Sequence, residues 1–213
     1  MKIGIDVGGT KCLGVAVDDD GKVVKQYRLP TPHADALCDT LVEIVAQLGE
    51  FKSLGIGVPG LISPEGVIRA SPNLVGAKEL ALRQMMQDRL GKKVLVENDA
   101  TCAALGEWKS GAAQGATDAW VITLGTGIGG GFISSSVLQR GAHGFAGEVG
   151  HMVVDPDGPL CPCGRNGCWE RYASGNGLSY LANGEKGEDV LSRAKEGAAD
   201  AIDVVDTFAK WVA

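Results

Sequence analysis

The stretch that decides the fold is KIGIDVGGTKCLGVAV, residues 2–17. An apolar run rich in β-branched residues, 3–7, is followed by Gly8 and Gly9 and then by a second apolar run, 12–17. This pattern predicts two strands joined by a tight glycine turn. Consecutive glycines let a turn expose neighbouring backbone N–H groups, which can bind an anion such as phosphate. An ordinary hairpin is the alternative interpretation.

A second unit of the same kind lies at AWVITLGTGIGGGFIS, residues 119–134. Residues 119–124 predict a strand, residues 125–130 a turn, and residues 131–134 the start of a returning strand. Five of the seven residues from 125 to 131 are glycine, which is more than a hairpin needs. The recurrence indicates an internal duplication at the level of structure.

The second glycine run also matches Gly-x-Gly-x-x-Gly, the phosphate-binding pattern of dinucleotide folds. That fold requires a helix directly after the glycines, whereas residues 131–133 predict a strand. Two glycine hairpins facing each other across a hinge suit a triphosphate better. Asp6, at the end of the first strand, is suited to a hydrated Mg²⁺. The residues expected to bind the nucleotide are Asp6, Gly8, Gly9, Thr10, Lys11, Gly125, Thr126, Gly127, Gly129 and Gly130.

Helices and strands alternate around these two units. The apolar spacing predicts helices at residues 34–47, 78–90 and 101–109, and further strands at residues 23–29, 54–58 and 93–96. The small and polar stretch 112–117 is the natural hinge. We therefore expect an α/β fold with an N-terminal domain over residues 1–111 and a C-terminal domain over residues 112–213. The tail from residue 178 onward predicts two amphipathic helices.

The charge and the cysteine content of the chain bear on its partners and its compartment. The formal charge is −6, the pI is near 5.1, and no long cluster of Lys and Arg occurs, so neither a nucleic acid nor an anionic membrane is an expected partner. No apolar stretch approaches the ~18 residues of a membrane span, and the N-terminus opens directly into a strand rather than a signal peptide. These features predict a cytoplasmic protein. Its six cysteines are then expected to be thiols or metal ligands.

The most specific cluster in the sequence consists of one histidine and three cysteines: His151, Cys161, Cys163 and Cys168. Three thiolates and one imidazole complete the tetrahedral shell of a structural Zn²⁺. Glycines at positions 164 and 167 allow the chain to fold around the ion. A disulfide and a set of free thiols are the alternatives, but the first is disfavoured in the cytosol and the second rarely clusters so tightly.

The tetrapeptide ENDA, residues 97–100, follows a predicted strand and opens a predicted helix. Either Asn98 or Asp99 is well placed to cap that helix. The functional alternative is a carboxylate at the hinge that accepts a proton from a substrate hydroxyl, as the base does in phosphoryl transfer. Taken alone, the local pattern favours the helix cap for either residue.

Together these elements resemble the ROK family of sugar kinases and repressors, a branch of the actin-like ATPase superfamily. The resemblance covers about residues 3–177, and zinc-containing bacterial glucokinases are the members that the chain resembles most. The motifs that carry it are Asp-x-Gly-Gly-Thr-Lys at 6–11, Gly-Val-Pro-Gly at 57–60, Glu-Asn-Asp-Ala at 97–100, Gly-Thr-Gly-x-Gly-Gly-Gly at 125–131, Glu-x-Gly-His at 148–151 and Cys-x-Cys-Gly-x-x-Gly-Cys-x-Glu at 161–170.

The resemblance implies that the chain transfers a phosphoryl group from ATP, bound with Mg²⁺, to a hexose, with glucose as the leading substrate. It implies that Asp99 is the general base. The implied sugar ligands are Asn98, Asp99, Glu148, His151 and Glu170. One ring nitrogen of His151 would bind zinc and the other would bind a sugar hydroxyl, so that the zinc sets the direction of the ring. We also expect a homodimer.

Two alternatives remain open at this point. Another hexose, such as N-acetylglucosamine, N-acetylmannosamine or fructose, could be the substrate, and the loops at 61–73 and 142–148 would decide between them. Family members are usually longer, and their final third supplies a further glycine-rich segment for the adenosine, so a truncated sugar-binding remnant without activity is the second alternative. A repressor is not expected, because Met1 lies only five residues before Asp6 and leaves no room for a DNA-binding domain.

Overall fold

The opening sequence folds into the predicted antiparallel hairpin in a computed structural model that describes residues 1–213. The chain up to residue 111 contains β1 (Lys2–Val7), β2 (Lys11–Val17), β3 (Val23–Pro30), α1 (Leu37–Leu48), β4 (Ser53–Val58), β5 (Leu61–Ile62), β6 (Ile68–Ala70), β7 (Lys78–Leu80), α2 (Leu82–Leu90), β8 (Val94–Asn98) and α3 (Asp99–Ser110). The remainder contains β9 (Ala119–Leu124), β10 (Ile128–Ser134), β11 (Val137–Gln139), α4 (Glu170–Ala173), α5 (Gly175–Leu181), α6 (Gly187–Lys195) and α7 (Ala199–Val212). Single 3₁₀ turns lie at Ala34–Ala36 and Val149–His151.

A five-stranded sheet forms the first half of the fold, in the order β3-β2-β1-β4-β8. The pairs β1–β2 and β2–β3 are antiparallel, whereas β1–β4 and β4–β8 are parallel. Side chains alternate between the two faces of a strand, and Ile3, Ile5 and Val7 of β1 are buried. Helix α1 packs closely on the sheet at Gly14, where an added Cβ would lie 2.3 Å from Ile44 Cγ2. The first half thereby encloses a core of 23 buried residues.

A three-stranded sheet, in the order β11-β10-β9, forms the second half. Its strands are antiparallel and repeat the arrangement of β1, β2 and β3, which confirms the predicted internal duplication. Helix α3 lies directly on this sheet, because a Cβ added to Gly131 would be 2.3 Å from Ala104 Cβ. Since α3 also follows β8 without a break, it connects the two sheets. The proposed domain boundary at residue 111 stays a prediction.

Strands β1 and β9 are equivalent in the two sheets, but they differ at the edge that faces away from β2 and β10. Strand β1 is paired there with β4, whereas its counterpart β9 has no partner on that edge. Three side chains of β9, Trp120, Ile122 and Leu124, lie on one face of the strand and are exposed. The Trp120 ring stacks on Phe132 of β10 with its centroid 4.5 Å away. The second half therefore has an open strand edge beside an apolar face.

The sequence predicts a single helix over residues 78–90, but the structure contains a strand followed by a shorter helix there. Residues Lys78–Leu80 form β7, which pairs with β6, and α2 begins only at Leu82. The prediction is wrong for residues 78–80 because backbone pairing with β6 decides their conformation. Strands of two or three residues are also too short to show a period, so the small sheet β5-β6-β7 is absent from the sequence prediction.

The C-terminal helices form a small cluster of their own. Helices α5, α6 and α7 pack together around Leu178, Val190 and Ala201. Helices α6 and α7 confirm the two amphipathic helices predicted for the tail. No helix in the chain combines the length and the apolar character that a membrane crossing needs.

Candidate active site

The first glycine hairpin lies at the end of β1 and turns the chain into β2. Asp6 is on β1, Gly8, Gly9 and Thr10 form the turn, and Lys11 is the first residue of β2. A hydrogen bond from Gly8 N to Lys11 O, at 2.9 Å, closes the turn. Gly9 and Thr10 are exposed, so the turn is open to a ligand.

Asp6 lies within electrostatic range of the start of α3. Partial desolvation raises the pKa of Asp6, the carboxylate of Asp99 raises it further, and Lys11 lowers it. Asp6 pairs with Gly57 of β4, and a Cβ added to Gly57 would lie 3.5 Å from Asp99 Cα, so ENDA and the first glycine hairpin are close together. The topology explains this, because β1, β4 and β8 are parallel neighbours whose carboxyl ends meet at one edge of the sheet.

Asn98 and Asp99 make different contacts at the start of α3. Asn98 is the helix cap, since its Oδ1 accepts a hydrogen bond from Thr101 N at 2.9 Å. Its Nδ2 donates to Gly60 O at 3.1 Å, which ties Gly-Val-Pro-Gly to the helix. Asp99 Oδ1 accepts a hydrogen bond from Ala100 N at 2.8 Å. The structure thus assigns the cap to Asn98 and leaves Asp99 Oδ2 without a protein partner.

Glu148 lies near two other carboxylates, those of Asp99 and Glu170. Burial, then Asp99, then Glu170 raise the pKa of Glu148 to about 7. Asp99 therefore lies within electrostatic range of Asp6 and of Glu148. The structure brings the predicted base together with the predicted magnesium ligand and two predicted sugar ligands.

The four predicted zinc ligands form one cluster, and their ligand atoms lie within 4.8 Å of one another. Cys163 Sγ and Cys168 Sγ are 3.5 Å apart, and Cys161 Sγ is 3.6 Å from His151 Nδ1. Tetrahedral zinc, with bonds of about 2.0–2.3 Å, places its ligand atoms about 3.5–3.8 Å apart. All the cysteines of the cluster are free thiols, so no disulfide is formed. The donor set and its spacing fit a metal ion.

His151 lies between this cluster and the carboxylates. Its Nδ1 faces Cys161, whereas its Nε2 is 3.8 Å from Glu148 Oε2. Glu170 borders the cluster, with Oε1 3.5 Å from His151 Nδ1 and 3.2 Å from Cys161 Sγ. The 3₁₀ turn that carries His151 follows Glu148 directly. One ring nitrogen therefore points toward the thiols and the other toward a predicted sugar ligand.

The second glycine hairpin has a shorter turn than predicted, consisting of Gly125, Thr126 and Gly127. A hydrogen bond from Gly125 N to Gly127 O, at 3.0 Å, closes it. Gly129 and Gly130 belong to β10, because strand pairing continues up to the turn. Gly129 lies against α3, where an added Cβ would be 2.6 Å from Ala100 Cβ. Phosphate contacts from Gly129 and Gly130 stay a prediction, and the structure gives Gly129 a packing role.

The support of this turn by α4 and α5 is absent from the sequence prediction. Gly175 N donates to Gly125 O at 2.8 Å, and Asn176 N donates to Thr126 O at 3.3 Å. On the other side, a Cβ added to Gly127 would lie 2.8 Å from Glu170 Oε2. The only local signal is the glycine at 175, which allows the two backbones to approach closely.

The two loops expected to decide the hexose line a single cavity of about 420 Å³. Its wall includes Leu61 and Arg69 from one loop and His143 and Phe145 from the other. Leu61 follows Gly60, which accepts the hydrogen bond from Asn98, and Phe145 O accepts one from Glu148 N at 3.2 Å. The cavity therefore adjoins the loops that hold two predicted sugar ligands.

Two repeated hairpin units, joined by α3 and converging on a group of carboxylates, define a protein of the actin-like ATPase fold. Residues 2–213 match the ROK family, and the chain belongs to this family. The resemblance predicted from the motifs is confirmed, and it extends over the C-terminal helices as well.

Relatives of known activity match almost the whole chain. A glucokinase of Streptomyces coelicolor is 36% identical over 238 residues, which cover 99% of this chain and 75% of that protein. An N-acetylmannosamine kinase of Citrobacter koseri is 36% identical over 220 residues, which cover 99% of this chain and 76% of that protein. The crystal structure of a ROK family glucokinase from Streptomyces griseus, in complex with glucose and AMPPNP, has a TM-score of 0.86 and 35% identity, and covers 99% of this chain and 76% of that one.

Proposed function

We propose that the chain is an ATP-dependent hexokinase that phosphorylates the 6-hydroxyl of glucose. The observation that carries the proposal is the position of Asp99 at the carboxyl end of β8, next to Gly57, which pairs with Asp6 beside the first glycine hairpin. Asp99 also raises the pKa of Glu148, beside the metal cluster. A base in phosphoryl transfer must contact the substrate hydroxyl and face the phosphate at the same time. Similarity to glucokinases over 99% of the chain supports glucose as the hexose.

In this proposal Asp99 accepts the proton of the 6-hydroxyl. The hydroxyl oxygen forms a bond to the γ-phosphorus while the bond from that phosphorus to the β–γ bridging oxygen breaks, and ADP leaves. Asp99 Oδ1 is held by Ala100 N, so Oδ2 is the atom that takes the proton. Holding the base in one orientation lowers the entropic cost of reaching the transition state.

The other hydroxyls of the sugar are bound by the side chains around Asp99. Glu148 and Glu170 provide carboxylate oxygens as acceptors, and His151 Nε2 faces the same space. Asn98 keeps one Nδ2–H after donating the other to Gly60, so it can still donate to a hydroxyl. A polyol requires several such fixed partners, and these four residues supply them from three separate segments.

The nucleotide phosphates lie between the two glycine hairpins in this proposal. The exposed backbone N–H groups of Gly9 and Thr10 are suited to a phosphate oxygen. Asp6 would hold a hydrated Mg²⁺, because Mg²⁺ keeps several waters and takes few carboxylates, and the ion would offset the charge of the phosphates. The turn at Gly125, Thr126 and Gly127 binds the nucleotide from the opposite side.

The metal cluster is proposed to hold Zn²⁺. With four protein ligands the ion is structural, and its contribution is to fix the positions of its ligands. Because Nδ1 of His151 faces the thiols, its Nε2 remains free to contact a sugar hydroxyl. The cluster would thus orient a sugar ligand without taking part in phosphoryl transfer.

A coupled assay over a panel of hexoses tests the proposal. We expect ATP-dependent formation of glucose 6-phosphate by the wild-type chain, and a rate at least about 100-fold lower with Asp99→Asn. Absence of turnover with glucose and every nucleotide tried would reject the proposal. If no turnover is found, calorimetry measures glucose binding with and without a non-hydrolysable ATP analogue. Glucose binding that the nucleotide analogue does not affect would identify a sugar-binding protein without activity.

N-acetylmannosamine is the second candidate substrate. It is favoured by a kinase for that sugar at 36% identity over 99% of this chain, and by the cavity of about 420 Å³ beside the predicted sugar ligands. The same hexose panel decides between the candidates. A kcat/KM for N-acetylmannosamine above that for glucose would replace glucose as the substrate.

A further inference from the structure

Three aromatic residues join the C-terminal end of α7 to α4, and we name Trp169, Tyr172 and Trp211 the aromatic brace. Trp169 Nε1 donates a hydrogen bond to Trp211 O at 2.6 Å. The Trp211 ring stacks on Tyr172, with centroids 4.2 Å apart and planes inclined by 20°. Tyr172 is buried, and its hydroxyl donates to Asp155 Oδ2 at 2.7 Å. Contacts in the brace are therefore both polar and apolar.

The brace contacts the chain on both sides of Glu170. Trp169 precedes Glu170 directly, and Tyr172 follows it by two residues within the single turn of α4. Trp169 and Trp211 also pack against a buried cluster formed by Ile128 at the start of β10, Val149, which follows Glu148, and Ala173 of α4. Trp211 is the only member of the brace that lies far away in the chain, so its contacts fix α4 relative to the rest of the fold.

The segment after α4 extends these contacts to the second glycine hairpin. Ser174 Oγ donates to Glu170 O at 2.6 Å and accepts from Gly177 N at 3.0 Å, so α4 and α5 are joined rigidly. The next residue, Gly175, donates to Gly125 O at 2.8 Å. A displacement of α4 would therefore move Glu170 and the second glycine turn together.

We propose that Trp211 is a positioning residue that sets Glu170 and the turn Gly125–Gly127 in their places through Trp169 and Tyr172. The proposal rests on the proposed function in that Glu170 is taken to bind the hexose. The partners of Trp211 are Trp169, Tyr172 and the buried cluster of Ile128, Val149 and Ala173, none of which is a predicted sugar or phosphate ligand. Its effect on substrate binding is therefore indirect and acts through the position of α4.

Trp211→Ala and Trp211→Phe, with Phe208→Ala as the matched control, test the proposal. Trp211→Ala removes the ring stack, and Trp211→Phe keeps an aromatic ring on Tyr172. Phe208 is one turn earlier on α7 but packs against Leu178, Val190 and Ala201, away from α4. Phe208→Ala therefore measures the effect of losing an aromatic side chain from α7 while the aromatic brace stays intact.

We expect Trp211→Ala to raise the hexose KM about tenfold with a smaller change in kcat, because ground-state and transition-state contacts of Glu170 weaken together. Trp211→Phe should stay within about threefold of the wild type. Phe208→Ala should lower the thermal midpoint as Trp211→Ala does, yet leave the hexose KM within about twofold. A KM for Trp211→Ala equal to that for Phe208→Ala would overturn the proposal.

Hydrogen exchange, followed by mass spectrometry on the same four proteins, makes the test independent of activity. Trp211→Ala should speed exchange at residues 170–177 and 125–127, whereas Phe208→Ala should leave both segments at the wild-type rate. An unchanged exchange rate in Trp211→Ala would overturn the proposed role of Trp211 even if the enzyme is active. A wild-type chain without hexose turnover but with the expected exchange pattern would reject the proposed function and support the brace.

Discussion

Asn98 and Asp99 are adjacent in the chain, but their side chains make different hydrogen bonds. Asn98 uses both of its polar atoms to hold structure, since Oδ1 caps α3 and Nδ2 binds Gly60 O. Asp99 is held only through Oδ1, by Ala100 N. The cap and the candidate base are thus different residues, which makes their roles separable by substitution.

Asp99→Asn is expected to lower kcat by about 10²- to 10⁴-fold, the usual contribution of a general base. The amide oxygen can still accept the hydrogen bond from Ala100 N, so the fold and hexose binding should survive. Steady-state kinetics give the loss, and thermal unfolding together with glucose calorimetry provide the controls. Activity within tenfold of the wild type would remove Asp99 as the base.

Cys163→Ser is expected to lower the metal content, the stability and the hexose affinity together, because the cluster orients His151 toward Glu148. Metal analysis, thermal unfolding and glucose calorimetry measure the three effects. Cys38→Ala is the control, since Cys38 is buried in the first core and lies outside the cluster. It should lower stability while metal content and glucose affinity stay unchanged. A Cys163→Ser chain with normal glucose affinity would contradict the dual role of His151.

At the scale of elements, α3 can pack closely on the second sheet only because residue 131 is a glycine and has no side chain. Gly131 of β10 faces Ala104 of α3, and a Cβ there would be 2.3 Å from Ala104 Cβ. The helix must lie this close for its first residue, Asp99, to stand at the boundary between the halves. Gly106 is on the same helix but on its exposed side, with no atom within 4 Å of an added Cβ.

Alanine substitutions at these two glycines are expected to act in opposite directions. Gly131→Ala should destabilise the chain by about 1–3 kcal/mol, the cost of overpacking, and should reduce activity by shifting α3. Gly106→Ala should stabilise it by about 0.5–1 kcal/mol, because alanine favours a helix interior. Urea unfolding measures both. A neutral or stabilising Gly131→Ala would mean that α3 does not lie against β10 as closely as described.

At the scale of the whole molecule, the open edge of β9 is the feature that affects behaviour in solution. Unpaired strand edges next to apolar faces promote association between chains. We expect residues 1–213 to associate as their concentration rises, and Trp120→Lys to reduce this association. Light scattering or sedimentation measures it. Val75→Lys is the control, because Val75 is also apolar and is 71% exposed but lies outside all three sheets. Equal effects of the two substitutions would exclude β9 as the site of association.

Much of the candidate site was predictable because its residues stand in short motifs. The His151 and cysteine spacing, the glycine hairpins and ENDA all carry local signals, and the structure brings them together. The choice between Asn98 and Asp99 as helix cap was not predictable, because both residue types are good caps and only the contact with Thr101 decides. The contacts of Trp211 and Gly175 were also not predictable, since their partners lie 39–50 residues away in the chain. The homodimer and the cytoplasmic location stay predictions.

The sequence by itself determined the strand–glycine–strand units, the cluster of His151 and three cysteines, the α/β class and the family, because each depends on the order and spacing of neighbouring residues. The tertiary structure alone decided where the second turn ends, which way His151 points and what holds Glu170 in place. These depend on contacts between distant segments, whose energies come from packing and hydrogen bonds that form only when the chain is folded. KIGIDVGGTKCLGVAV therefore predicts a hairpin, and the parallel strands beside it bring Asp99 to that hairpin.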